Sequence, residues 1–210
     1  MPRKPFSLTY VTYEEGDTVG LLCALLALAP VFIVVAYVTL LARNREAHVL
    51  YALAGQLLNW RLNDVLKRYF AAPRPAGCEL GTYGFPSDHA QFLGFWACYV
   101  CAFLARAVPR AGQKGWREIL GLGAAVLAAA VASSRVYLGY HTLDQVAAGL
   151  GVGACTGGAW YALYEGALRR RLGPFARGNA LCRYLLVRDG AHEVDGLRVE
   201  YDAFRLKKVP

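Results

Sequence analysis

Acidic residues are scarce in this chain, and no cluster of them marks a metal cage. Asp and Glu number 15 against 23 Lys and Arg over 210 residues, a net charge of +8. With no cluster of carboxylates there is no metal cage to read, so the expectation is chemistry without a metal or a cofactor. Also missing is the interleaving of arginine with surface aromatics that grips nucleic acid. The basic excess is therefore not read as a nucleic-acid partner; arginine concentrated in loops, where it sets membrane topology, accounts for it. A secretory leader is not expected, because Met1 to Asp17 is polar and mixed in charge. Internal repeats and long low-complexity runs are absent. Four of the six cysteines, Cys23, Cys98, Cys101 and Cys155, lie in apolar runs and read as small hydrophobes. Cys98 and Cys101 form a CxxC with no second ligand pair, which falls short of a zinc or redox context.

What the chain has in quantity is apolar sequence, 56% of all residues. It comes as long runs between Thr18 and Gly166, and about 20 apolar residues cross the hydrocarbon of a bilayer. Spans are expected near 18–42, 47–66, 90–105, 119–133 and 146–163. Pro30 is a candidate kink in the first. The second carries Gln56, Asn59, Arg61, Asn63 and Asp64, so a hydropathy window can overlook it. Such groups are costly in lipid and should face other helices, the site or the interface. The last three spans are rich in Gly and Ala, which lets helices approach closely. The fold class is all-α: a polytopic membrane bundle of four to five transmembrane helices.

With five spans, Arg43 and Arg45, the group Arg106, Arg110, Lys114 and Arg117, and Arg169 to Arg171 fall on one face. The positive-inside tendency makes that face cytoplasmic. The domain reading follows: residues 1–17 on the opposite side, 18–166 as the membrane domain, 167–210 as a cytoplasmic tail. That tail is too short for an independent core and reads as a small membrane-docked appendage. Its closing Lys207 and Lys208 are candidates for holding anionic headgroups.

Three polar clusters converge on the non-cytoplasmic face. They are Lys67-RYFAAP-Arg74-Pro75, Pro86-Ser87-Asp88-His89, and Ser134-Arg135-VYLGY-His141. Lysine offers a compact cation and arginine a planar fork, both suited to phosphate oxygens and to transition-state charge. A neutral histidine can attack phosphorus. A second, protonated histidine can donate to the leaving oxygen and then activate water. Singly, each has a plainer reading. Lys67 or Arg74 can be a snorkelling interfacial anchor, Ser87 an N-cap, His89 a helix-entry cap and His141 an interfacial histidine. Arg135 is harder to dismiss, because charge near a span is expensive. All of them on one side, in this order, favour phosphoryl chemistry.

The patterns K-x6-RP, PSxH and SR-x5-H together resemble the three-part signature of the type 2 phosphatidic acid phosphatase superfamily, which also includes soluble vanadium haloperoxidases. The signature covers about Lys67 to Gln145. Beyond it, LTYVTYEEGD, FIVVAYVTL, SRVYLGYHTLDQV and LLVRD are similar to the dolichyl pyrophosphate phosphatase branch over most of the chain. The resemblance implies His141 as the nucleophile that becomes phosphohistidine and His89 as general acid. It implies Lys67, Arg74 and Arg135 as the phosphate cage, with Ser87 adding a hydrogen bond. It further implies a multi-pass enzyme of the endoplasmic reticulum membrane with its site in the lumen. The reaction would hydrolyse dolichyl diphosphate to dolichyl phosphate and phosphate, recycling the carrier for protein N-glycosylation, with membrane lipids as surroundings. Another polyprenyl diphosphate or lipid phosphate would need the same cage. A non-catalytic lipid-binding scaffold is the reading from a different class.

Two positions depart from the superfamily pattern. Its aspartate that orients the nucleophilic histidine falls on Gln145, while Asp144 sits one residue earlier. A glutamine carbonyl can accept the imidazole hydrogen bond, whereas Asp144 could substitute only if the turn rotates; Gln145 is the favoured orienter. Asp88 stands where PSxH usually carries a small residue. It acts either on His89 by charge proximity or as a solvated helix-start carboxylate.

Overall fold

The computed structural model describes residues 11–78, 80–106, 114–188 and 205–206. Helices α1 (Thr18–Leu26) and α2 (Ala29–Asn44) are followed by α3 (Ala47–Phe70), α4 (Asp88–Arg106), α5 (Lys114–Tyr137) and α6 (Leu143–Leu163). A π-helical turn (Tyr164–Leu168) leads into α7 (Arg169–Gly178), and α8 (Ala180–Tyr184) follows. Arg110, Lys207 and Lys208 lie outside the described residues.

Among the described residues, three helical segments are long and apolar enough to cross a membrane: Thr18–Asn44, Gly115–Tyr137 and Leu143–Gly178. The first is broken where Pro30 stands. Proline has no N–H to give back to the preceding turn, and the Val31 N–H turns to the Leu28 carbonyl instead. The last expected span does not stop at Leu163. It runs on through the π-turn to Gly178.

Helices α3 and α4 are long without being uniformly apolar, and their neighbours explain why. At 24 residues α3 measures about 36 Å. Its outer face shows Leu50, Leu57, Leu58, Trp60 and Val65, while Gln56, Asn59 and Asn63 are buried. Arg61 and Asp64 stay outside, paired with each other at 3.2 Å. α4 is the central helix, burying Ala90, Gln91, Leu93, Gly94, Phe95, Ala97 and Tyr99. A helix enclosed by protein does not need the hydropathy that lipid demands.

The most extensive pairing in the bundle is α4 with α6. Gly149, Gly153 and Gly157 recur every four residues on α6 and press on α4. A Cβ at Gly153 would lie 2.2 Å from the Gln91 carbonyl oxygen, and one at Gly157 2.5 Å from that of Phe95. Only glycine permits so close an approach, as small-residue interfaces in membranes do generally. α3 is held by hydrogen bonds. Gln91 Nε2 donates to the Asn59 backbone carbonyl and to Asn59 Oδ1, each at 3.0 Å. Asn63 Nδ2 donates to Gln91 Oε1 at 2.8 Å, and Thr156 Oγ1 to Asn59 Oδ1 at 2.9 Å. Of the five polar residues expected on this span, Asn59 and Asn63 turn inward into the ladder and Gln56 donates to the Phe92 carbonyl at 3.2 Å, while Arg61 and Asp64 stay on the outer face.

At one end of the bundle, Arg188 Nε reaches Glu46 Oε1 at 2.9 Å, and the two residues form a parallel bridge. At the other end, the C-terminal ends of α3 and α5 meet the N-terminal ends of α4 and α6. Tyr137 O–H also donates there to Asp17, just before α1.

Candidate active site

All seven candidate residues lie at that second end. Lys67 is on the last turn of α3, and Ala71 then takes a left-handed conformation with φ 45°. The turn sends the following loop back across the bundle. Gly84 N–H donates to the Ala72 carbonyl at 2.8 Å, and Ser87 N–H to the Gln145 backbone carbonyl at 3.0 Å. α5 ends at Tyr137, Gly139 turns with φ +70°, and His141 enters just before α6. Thr142 and Gln145 make a reciprocal capping box at the start of α6.

His141 is buried and contacted at both ring nitrogens. Nδ1 lies 2.9 Å from the Gly84 carbonyl oxygen and 3.1 Å from Gln145 Oε1. Both are acceptors, so Nδ1 carries the proton. Gln145 is itself held, with Nε2 donating to the Pro73 carbonyl at 2.8 Å. That bond turns Oε1 toward the ring. A Cβ on Gly84 would sit 2.7 Å from the Gln145 amide, so a side chain there would displace the orienter. Asp144 is exposed. Nε2 thus keeps its lone pair, and Arg74 Nη1 donates to it at 3.0 Å. Burial pushes the His141 pKa below its ordinary value, the Asp88 carboxylate acts in the opposite direction, and Arg74 adds to the lowering. The neutral ring is the form a nucleophile needs.

Arg74 is aimed by its neighbours. Its Nη1 also donates to the Tyr140 carbonyl at 2.9 Å, and Nε donates to the Thr82 carbonyl at 3.1 Å. Arg135 is 3% exposed and lies over the Tyr140 ring, 4.3 Å from its centre. His89 Nε2 donates to the Ala27 carbonyl at 3.1 Å. That carbonyl sits at the break between α1 and α2, so the interrupted first span supplies the contact and leaves Nδ1 facing the cluster. Ser134 turns away to the Val131 carbonyl.

Several polar atoms here have no hydrogen-bond partner. Ser87 Oγ, His89 Nδ1, and Arg135 Nε and Nη1 are buried and unpartnered. Such atoms cost about 1–3 kcal/mol each when left so. Ser87 Oγ therefore does not act as a helix cap. Asp88 turns a carboxylate oxygen inward, Oδ1, to 3.4 Å from His89 Nδ1, 3.6 Å from His141 Nε2 and 3.7 Å from Lys67 Nζ. The side chain as a whole is still 37% exposed at the first turn of α4, so both readings of Asp88 hold: a partly solvated helix-start carboxylate with one oxygen turned to the histidines. Among the described residues, no group of three His, Cys, Asp or Glu side chains could hold a metal ion. Thr82, Gly84, Tyr140 and Ala27 complete the site without having been read from the sequence. Gly84 carried a faint signal in its closeness to PSxH; a backbone carbonyl such as that of Ala27 carries none.

This constellation, three cations and two imidazoles around unpartnered donors on an all-helical membrane bundle, is that of a phosphate-handling membrane enzyme. Residues 45–169 match the model of the PAP2 superfamily, and the chain belongs to it as a multi-pass membrane phosphatase. Among named relatives, Dolichyldiphosphatase 1 of Homo sapiens is 36% identical over 211 residues, covering 96% of this chain and 88% of its own. Lipid phosphate phosphatase gamma of Arabidopsis thaliana is 33% identical over 207 residues, covering 96% and 91%. A crystal structure described as the first transmembrane PAP2 type phosphatidylglycerolphosphate phosphatase, from Bacillus subtilis, superposes with a TM-score of 0.64. It is 22% identical and covers 75% of this chain and 82% of its own. That likeness carries the fold.

Proposed function

We propose that this phosphatase hydrolyses dolichyl diphosphate to dolichyl phosphate and inorganic phosphate through a phosphohistidine. One observation carries the substrate: 36% identity to Dolichyldiphosphatase 1 over 96% of the chain. The chemistry is supported by the His141 geometry. The Nε2 lone pair attacks the terminal phosphorus, forming a P–N bond as the P–O bond to dolichyl phosphate breaks. Lys67, Arg74, Arg135 and Ser87 hold the phosphoryl oxygens, matching charge as it develops. His89 gives its Nδ1 proton to the leaving oxygen, then takes a proton from water. That water attacks phosphorus, the P–N bond breaks, and its electrons return to Nε2. Gln145 and the Gly84 carbonyl hold the Nδ1–H throughout.

The compartment we infer is the endoplasmic reticulum, with the site facing the lumen and product returning to the carrier cycle of N-glycosylation. The orientation is supported by Arg43, Arg45 and the Arg169 to Arg171 run, which stand at the end of the bundle away from the site, in line with the positive-inside tendency; the compartment follows from the dolichyl substrate proposed above. On this reading 1–17 is luminal, 18–166 is the membrane phosphatase domain and 167–210 is the cytoplasmic tail. A second substrate reading, another lipid phosphate, is favoured by the Arabidopsis relative's name.

The test is phosphate release by purified protein from dolichyl diphosphate, with phosphatidate as the comparison lipid. His141→Ala should lower turnover by about 10^4-fold or more and abolish acid-labile phosphoprotein. Equal release from both proteins removes His141 as nucleophile; preference for phosphatidate moves the substrate to the second reading.

A further inference from the structure

Asp88 puts negative charge where phosphate belongs. Its Oδ1 lies 3.4 Å from His89 Nδ1, 3.6 Å from His141 Nε2 and 3.7 Å from Lys67 Nζ. These are three of the groups assigned above to the phosphoryl group. The oxygen is enclosed yet makes no hydrogen bond, so the charge of Lys67, rather than directed bonding, holds it beside the two imidazoles. Around it Ser87 Oγ and the Arg135 Nε and Nη1 donors stay unpartnered. A carboxylate in this place neutralises part of the cage but leaves its donors unspent.

We propose that Asp88 is a tethered competing anion that occupies the phosphoryl position in the resting enzyme and rotates aside when substrate enters. The inference rests on the phosphohistidine reading of the cage. A tethered group competes at high effective concentration, so a ligand must outbid it. The terminal phosphoryl of a diphosphate carries more charge and more acceptor oxygens than one carboxylate, and the lipid holds it at the membrane. Inorganic phosphate has no such anchor. Asp88 therefore raises, by one common factor, the concentration any anion needs to fill the cage; lipid concentrated in the membrane meets that demand where free phosphate does not, and product leaves a cage of three cations faster. The opposite role, a structural ion partner that keeps Lys67 and the histidines in place, predicts the opposite sign.

The experiment measures inhibition of dolichyl diphosphate hydrolysis by orthovanadate and by inorganic phosphate. Wild type is compared with Asp88→Asn and Asp88→Ser. If the carboxylate leaves the cage open a tenth of the time or less, both anions should inhibit the variants at about tenfold lower concentration. KM should fall as well, without a gain in kcat. Thermal unfolding supplies a second readout: each variant should melt lower without ligand and recover more on added phosphate than wild type does. Inhibition constants that stay the same or rise overturn the proposal. So do variants that fail to fold even in phosphate buffer, because Asp88 would then be a structural partner. A wild type that neither turns over the lipid nor binds vanadate sinks the phosphatase reading itself. Wild-type turnover with unaltered variant constants removes only the role of Asp88.

Discussion

Two polar clusters lie next to each other inside the bundle, and they are built to opposite rules. In the bundle centre, Gln91, Asn59, Asn63 and Thr156 satisfy one another. At the site end, Ser87 just before α4, His89 on α4 and Arg135 on α5 keep buried atoms without hydrogen-bond partners. Asn63 touches both regions, donating to Gln91 Oε1 and to the Pro86 carbonyl just before Ser87. Closed polar networks rigidify; open ones carry an energetic cost that a ligand can relieve. The difference separates residues that hold the bundle from residues that wait for an anion, although both sets are polar and turned into the bundle.

The sharpest way to break that distinction is to remove an open member. Arg135→Met keeps the bulk and deletes the charge and its unpartnered donors. Turnover should drop by about 10^2- to 10^3-fold, the scale of losing a transition-state donor, while the melting temperature holds or rises. A large fall in melting temperature with activity kept would place Arg135 among the structural residues. Smaller in effect is the reverse experiment on the closed network. Gln91→Leu strips the donors that Asn59 accepts and the acceptor that Asn63 uses, so stability should fall by about 1–3 kcal/mol. Turnover per folded molecule should stay within about tenfold of wild type. Denaturation in detergent, paired with active-site titration, measures both. Loss of turnover with full stability would erase the boundary between the two clusters.

The chemistry of the open cluster was readable in the sequence, because cations and histidines near membrane spans have few cheap structural uses. Lys67, Arg74, Ser87, His89, Arg135 and His141 stand out by spacing and residue type, Gln145 only through the resemblance to the superfamily pattern, and the fold brings all seven to one end of the bundle. The inward turn of Gln56, Asn59 and Asn63 was legible for the same reason: lipid leaves them nowhere else to go. What escaped was whatever the backbone supplies. The carbonyls of Ala27, Pro73, Gly84 and Tyr140 hold His89, Gln145, His141 and Arg74, and no side-chain pattern announces a carbonyl. Pro30 signalled a kink in the first span; that the break would face His89 depended on packing between distant segments. Hydropathy also undervalued α4, since enclosure by neighbouring helices replaces the apolarity that lipid contact requires.

Gln145 belongs to both regions, and that makes it the finest probe of the comparison. Its amide is satisfied as the ladder's are, donating to the Pro73 carbonyl and accepting from Thr142 N–H at 3.3 Å. Yet its remaining contact is with His141 Nδ1. An uncharged acceptor orients the ring without stabilising imidazolium, so burial is left to lower the His141 pKa. The reactive form is neutral, and a lowered pKa keeps it neutral as pH falls through the ordinary histidine range near 6.5. The acid limb of kcat/KM, which reports the free enzyme, should therefore lie below that value in wild type. Gln145→Glu puts a carboxylate against the Nδ1–H. Opposite charge nearby favours the protonated ring, so the acid limb should move to higher pH, with the loss of rate greatest on the acid side and small above pH 8. An acid limb that stays in place in this variant would mean that Gly84 alone holds the Nδ1 proton, and Gln145 would then belong to the closed network.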